Sequence, residues 1–323
     1  MAGNDWIKTT IDLTINTDFD SALRLVYDRI EKNQNDYKAY FYLAATLNSK
    51  MTHFENQDEF DQFDMAIDKT IQLVEKQLDN SAALPDSIYA QLLFYKGSAY
   101  GYRAYNQGAT GNWLGAISNG IKSVGDLKEA LESDSAVYGA YLGIGVYKYW
   151  RYSRLKFISW LPFVPDDRDE GIKMITVAIS HDSLSRYMAM HQLVYILLDY
   201  GETERAIYFA EKIVEKYPQS QFMWWAKAHA YFKYEDYHRA KSAYLELRRL
   251  IEADEQRNIA HLLKCDFKLA LIYKELKEFP KCRDCCQEIL RLSETTVLTE
   301  NARKIISQTR EIVEKCQSQM TEQ

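Results

Sequence analysis

Apolar residues return every three or four positions along most of the chain, in pairs of segments split by short polar turns. The clearest pair spans 222–244. Trp224, Ala228 and Tyr231 share one helix face, and Tyr234-Glu235-Asp236 interrupts it. Tyr237, Ala240, Tyr244 and Leu247 then form a second face. This spacing predicts a helix, a tight turn and an antiparallel helix. Upstream, Met190, Val194 and Leu197 lead through Asp199-Tyr200-Gly201-Glu202 to Thr203, Ala206, Ala210 and Ile213. Tyr217-Pro218 closes that unit, because the residue before proline disfavours helix. Downstream, Leu269, Ala270 and Tyr273 lead through Lys277-Glu278 to Phe279, Cys282, Cys286 and Ile289.

The small residue of the second helix recurs at a fixed period. Ala206 and Ala240 are 34 positions apart, whereas Cys282 follows Ala240 by 42, which places about eight extra residues near 253–256. Near the N-terminus, Phe19, Ala22, Val26 and Ile30 read as a second-type helix, and Tyr40, Leu43, Ala44 and Leu47 as a first-type helix. The partner of the latter, with Phe63, Ala66, Thr70 and Leu73, follows a polar insert over 52–61. Helices are expected over 89–105 and 113–131, flanking a glycine-rich loop at 106–112. A further first-type helix is expected over 138–150, with Gly171, Ile175 and Ala178 opening its partner. The tail over 296–317 is more polar and carries Ile305, Ile306, Ile312 and Val313 on one stripe, the pattern of a terminal shielding helix.

Small residues let two helices approach, and large ones fill the space beside them. A single hairpin cannot bury its apolar stripe, so hairpins stack in series. The period and apolar positions over 15–292 resemble the tetratricopeptide repeat superfamily. The strings Tyr100-Gly101-Tyr102-Arg103-Ala104-Tyr105, Gly111-Asn112-Trp113-Leu114, Ala140-Tyr141-Leu142-Gly143-Ile144-Gly145-Val146-Tyr147 and Leu155-Lys156-Phe157-Ile158-Ser159-Trp160-Leu161-Pro162-Phe163 are similar to a bacterial, often exported, family of such proteins with no assigned activity. The resemblance implies an all-α fold: an α-α superhelix (solenoid) of about six to seven hairpins with a C-terminal capping helix. The expected organisation is an N-terminal extension (1–14), the repeat array (15–292, with an insertion at 148–170) and a capping helix and tail (293–323).

Composition narrows the function. The 323-residue chain carries a net charge of −6, which argues against counterion-driven nucleic-acid binding. No run of 18 apolar residues is present, so no transmembrane segment is expected. The start, Met1-Ala2-Gly3-Asn4, has no basic stretch followed by an apolar one. The location is therefore periplasmic or envelope if an export signal preceded these residues, and cytoplasmic otherwise. The five cysteines, all beyond residue 260, do not form a disulfide framework.

Repeat register places His191, Tyr195, Phe222, Trp225, His229, Phe232, Lys264 and Phe267 on the first-helix face, where aromatics and cations would grip a peptide or partner protein. A second candidate is the basic, aromatic stretch with Trp150, Arg151, Arg154, Lys156, Trp160 and Phe163. It reads either as a loop meeting lipid or a membrane partner, or as an insertion whose cations pair with Asp166, Asp167, Asp169 and Glu170. His261, Cys265, Cys282 and Cys286 have zinc-like spacing, yet Cys282 and Cys286 occupy the core positions of Ala240 and Tyr244 one unit earlier. The glycine-rich stretch fits neither phosphate-loop pattern. The expectation is therefore a protein-binding scaffold with no cofactor, no metal and no catalytic residues.

Overall fold

A computed structural model describes residues 5–79, 84–155, 165–182, 184–294 and 300–321. Among these residues there are fifteen helices and no strand. They are α1 (Asp5–Ile15), α2 (Phe19–Lys32), α3 (Tyr37–Phe54), α4 (Phe60–Asp79), α5 (Asp86–Ala109), α6 (Trp113–Ser133), α7 (Tyr138–Leu155), α8 (Arg168–His181), α9 (Arg186–Tyr200), α10 (Thr203–Lys216), α11 (Gln221–Lys233), α12 (Tyr237–Ala253), α13 (Ile259–Glu275), α14 (Phe279–Ser293) and α15 (Glu300–Thr321). The chain forms two compact units, Met1–Ile196 and Leu197–Gln323.

A repeated turn sets the hairpins. At five junctions one residue in the left-handed region precedes the first residue before the next helix: Thr17-Asp18, Gly111-Asn112, Gly201-Glu202, Glu235-Asp236 and Lys277-Glu278. The amide of the second residue bonds five residues back, as in Asp236 N to Tyr231 O at 3.1 Å and Glu278 N to Tyr273 O at 2.8 Å. This closes the orphan carbonyls of the finished helix in a Schellman-type turn. The same residue position then starts the next helix. Asp236 accepts from Arg239 N at 2.9 Å, and Asn112 accepts from Gly115 N at 3.1 Å. Two helices thus reverse direction within three residues.

In the first unit, α1 packs on α2, α3 on α4, α5 on α6 and α7 on α8. Within the expected extension, 1–14, residues 5–14 belong to α1, which ends at Ile15, and its Ile7 is 1% exposed. The expected insert at 52–61 is shorter than the sequence suggested. After Glu55 takes the left-handed position, only 56–59 intervene before α4. The expected glycine-rich loop at 106–112 is mostly helix, since α5 runs on to Ala109 and leaves 110–112 as the turn. The backbones of α7 and α8 meet at Gly145 and Gly171. A Cβ on either would lie 2.6 Å from the other's carbonyl oxygen.

In the second unit, α11 packs on α12 and α13 on α14, with α10 against α11 and α15 against α14 and α13. The positions chosen by periodicity are its core. Ala206, Ala210, Ile213, Ala240, Leu247, Ala270, Cys282, Cys286 and Ile289 are all 0% exposed. The residues added between the last two hairpins partly lengthen α12, which has 17 residues against 14 in α10, and partly form the connection over 254–258. Trp224, expected on the core face, is partly exposed instead. Its indole donates to Pro218 O at 2.8 Å, and Lys227 lies 4.8 Å above its ring. Met223 and Ala226 take the buried positions.

Candidate functional site

The second unit places Phe222, Trp225, His229 and Phe232 along α11, and Lys264 and Phe267 on α13. All six are partly buried. Each helix starts on a side-chain cap: Ser220 accepts from Met223 N at 3.4 Å, and Asn258 from His261 N at 3.1 Å. The two helices meet through side chains from this set. Trp225 sits edge-on to His261 at 5.7 Å and to Tyr244 at 6.0 Å. Its Nε1 is buried without a hydrogen-bond partner, although indole N–H groups ordinarily find one. One helical register further on, the Lys268 ammonium lies 4.4 Å above the Phe232 ring, a cation–π contact.

The electrostatics of this face run against the protein's overall sign. Burial, then the Lys268 and Lys233 ammoniums, push the His229 imidazole down to about 4. Burial and Lys233 also lower Lys268. Helix α11 contains no Asp or Glu. On α13, Asp266 is 1% exposed and is held by Arg248 at 2.6 Å, while Glu275 pairs with Lys274 at 3.3 Å. The remaining predicted residues, His191 and Tyr195, lie on α9 in the first unit. Their rings meet at 5.2 Å, and burial, then the nearby Tyr105, raise the Tyr195 phenol.

The zinc-like residues are core. Cys265, Cys282 and Cys286 are 0% exposed, and the Cys265 thiol donates to Tyr244 O at 3.2 Å. Burial pushes that thiol well above its ordinary range, opposite to the thiolate a metal needs. Among the described residues no group of three or more His, Cys, Asp or Glu side chains is placed to hold a metal ion.

The 148–170 stretch begins as helix, because α7 continues to Leu155. Its leading cations are paired. Lys148 contacts Glu170 at 2.6 Å and Asp167 at 3.4 Å, and Arg151 contacts Asp167 at 2.9 Å. Arg154 lies 5.5 Å above the Trp150 ring. Lys156, Trp160 and Phe163 fall outside the described residues. No helix is long and apolar enough to cross a membrane among the described residues. In the first unit a cleft of about 350 Å³ is lined by Phe60, Asp64, Arg103, Gln107 and Asn119. Its polar groups satisfy one another: Arg103 bonds Asp64 and Asp68 at 2.7 Å each, and Asn119 donates to Gln107 at 2.9 Å.

No protein-family model matches the sequence, and no curated protein is similar to it by sequence. Solved structures match by shape. The C-terminal part of a TPR repeat-containing protein from Cytophaga hutchinsonii aligns at TM-score 0.50 and 15% identity, covering 91% of this chain and 96% of that one. The chain has the tetratricopeptide repeat fold. A chain of the APC/C hetero-tetramer Cut9–Hcn1 aligns at TM-score 0.58 and 13% identity over 96% of this chain, which spans 50% of the other's length. PilW, a type IV pilus biogenesis factor, aligns at TM-score 0.50 and 12% identity, covering 82% and 98%.

In tetratricopeptide terms, α11 and α13 are the first helices of consecutive repeats. Sequence reasoning missed two residues of this face, Lys233 and Lys268. Each was within reach of the register: Lys233 lies one turn after His229, and Lys268 one turn after Lys264. What no register reveals is that Lys268 settles on Phe232, or that Arg248 of α12 holds the buried Asp266.

Proposed function

We propose that this protein is an interaction scaffold that holds a segment of a partner protein against the first helices of its second unit. Stacked repeats of this fold align their first helices, so a bound segment would cross α11 and then α13. The observation that carries the reading is the partial burial of Trp225, His229, Phe232 and Phe267 on those two helices. Side chains with large rings and one accessible edge supply contact area at low entropic cost. The unsatisfied Trp225 Nε1 adds a donor that a partner carbonyl would complete once the side chain shifts slightly. Binding, not catalysis, is the activity proposed. His191 and Tyr195 would extend the same function on the first unit.

Site-specific photo-crosslinking in the cells that make the protein tests this. A benzophenone side chain at Phe232 or Phe267 is expected to trap a protein partner, and one at the exposed Leu245 or Tyr208 is not. Trp225→Ala with His229→Ala should abolish the adduct while leaving the helical spectrum intact. Adducts that form solely from Leu245 or Tyr208, or that persist undiminished in the double variant, would overturn the assignment.

A further inference from the structure

We propose that the segment held on this face is acidic: an extended stretch of the partner protein with Asp or Glu side chains interleaved with apolar ones. The inference rests on the scaffold reading and adds the chemistry of the partner. Its basis is a pair of neighbouring ammonium groups, Lys233 on α11 and Lys268 on α13, built beside the rings of this face in a protein of net charge −6.

Several partly buried cations of this protein sit on carboxylates, while Lys38 and Lys227 rest on aromatic rings. In the same unit Arg248 pairs with Asp266 at 2.6 Å and Lys241 with Glu278 at 2.7 Å. In the other unit Lys96 pairs with Asp126 at 3.1 Å and Arg103 with Asp64 at 2.7 Å. Lys268 also rests on a ring, but whereas Lys38 has Asp36 and Lys227 has Glu211 nearby, the charge beside Lys268 is another cation, Lys233. Among the described residues no carboxylate is ion-paired with Lys268 or Lys233, and the charges felt by Lys268 and His229 are other cations. Lys268 is partly buried on the Phe232 ring rather than extended into water. Dehydrating an ammonium beside like charges costs stability, and an incoming carboxylate recovers that cost while gaining a charge-assisted bond. The two acids of α13 cannot serve, because Asp266 is committed to Arg248 and Glu275 to Lys274. Phe232, Phe267 and Trp225 flank the cations, so apolar side chains between the acids would find ring surface.

The test is selection of a random dodecapeptide display library on the full-length protein, run in parallel on Lys233→Glu with Lys268→Glu. Circular dichroism confirms that the variant folds, and Lys233→Gln with Lys268→Gln serves if it does not. The wild type is expected to enrich Asp and Glu over the input. The strongest selected peptide should bind the substituted protein about tenfold more weakly or worse. Winners crosslinked to Phe267 without acid enrichment would sink the acidic partner and leave the scaffold standing. Winners that crosslink elsewhere would sink the scaffold reading itself. Acid enrichment that survives the substitutions, or no winners at all, would also overturn the proposal.

Discussion

The first helices of the two units solve the same packing problem with different chemistry. In the first unit, Phe41 meets Tyr95 at 5.0 Å and Tyr102 at 5.7 Å, and Tyr37 meets Tyr95 at 5.3 Å. The Tyr42 and Tyr95 hydroxyls bond to each other, and Lys38, 5.7 Å above the Tyr95 ring, has Asp36 nearby. That face satisfies itself. In the second unit the corresponding helices carry Trp225 with an unpaired donor and Lys268 with no acid among the described residues. The hairpins differ too: α7 and α8 close on Gly145 and Gly171, whereas the second unit closes on Ala206, Ala240 and Cys282. On the proposed reading, the rings and charges of α3 and α5 already match and leave a partner little to gain, whereas Lys268 on α13 leaves an incoming carboxylate something to gain.

The largest expected effect probes how Arg248 holds Asp266. Arg248→Met leaves a buried carboxylate uncompensated and should cost about 3–4 kcal/mol in urea unfolding. A loss below 1 kcal/mol would mean that the buried Asp266 carboxylate does not depend on Arg248, and the contrast would narrow.

Next comes pH. His229 titrates near 4 in the folded protein against an ordinary value of 6.5, so the unfolded chain takes the proton first. Stability should therefore be full above pH 6.5 and fall as pH drops toward 4, by roughly 3 kcal/mol, then level off. Lys268 and Lys233 are the charges facing it. His229→Gln should remove this component; an identical stability–pH curve for the variant would show that the imidazole is not desolvated as described.

Gly145→Ala tests the first unit's closure. Its new Cβ would meet the Gly171 carbonyl, backbone that cannot rotate away, and Ile175 Cγ1 at 2.8 Å. Overpacking of about 3 kcal/mol, less about 1 kcal/mol of helix propensity, leaves a net loss near 2 kcal/mol. A stabilised variant would contradict the backbone contact. The smallest effect is Glu235→Gly, at φ +62°, where relief of the left-handed conformation should raise stability by about 0.5–1 kcal/mol.

Much of the fold was legible because burial follows spacing. Ala206, Ala240 and Cys282 were placed at equivalent positions by period, and all three are fully buried. Helix ends were less legible. Turn residues such as Glu235 and Lys277 do not advertise a left-handed backbone, and the glycines at 108 and 111 suggested a longer loop than the one formed. The candidate face was read as far as register allows, which fixed Trp225, His229, Phe232 and Phe267 on first helices. The charge balance stayed hidden, because it depends on Arg248 reaching across from α12 to Asp266, a contact 18 residues apart in sequence.

The central claim, that surplus positive charge on α11 and α13 recruits the partner, is tested most directly by the salt dependence of Kd for a selected acidic peptide. Between low and physiological-to-high ionic strength, Kd for the wild type should rise about tenfold, and Lys233→Ala with Lys268→Ala should flatten that slope. A Kd indifferent to salt, or a slope unchanged by the two substitutions, would contradict it.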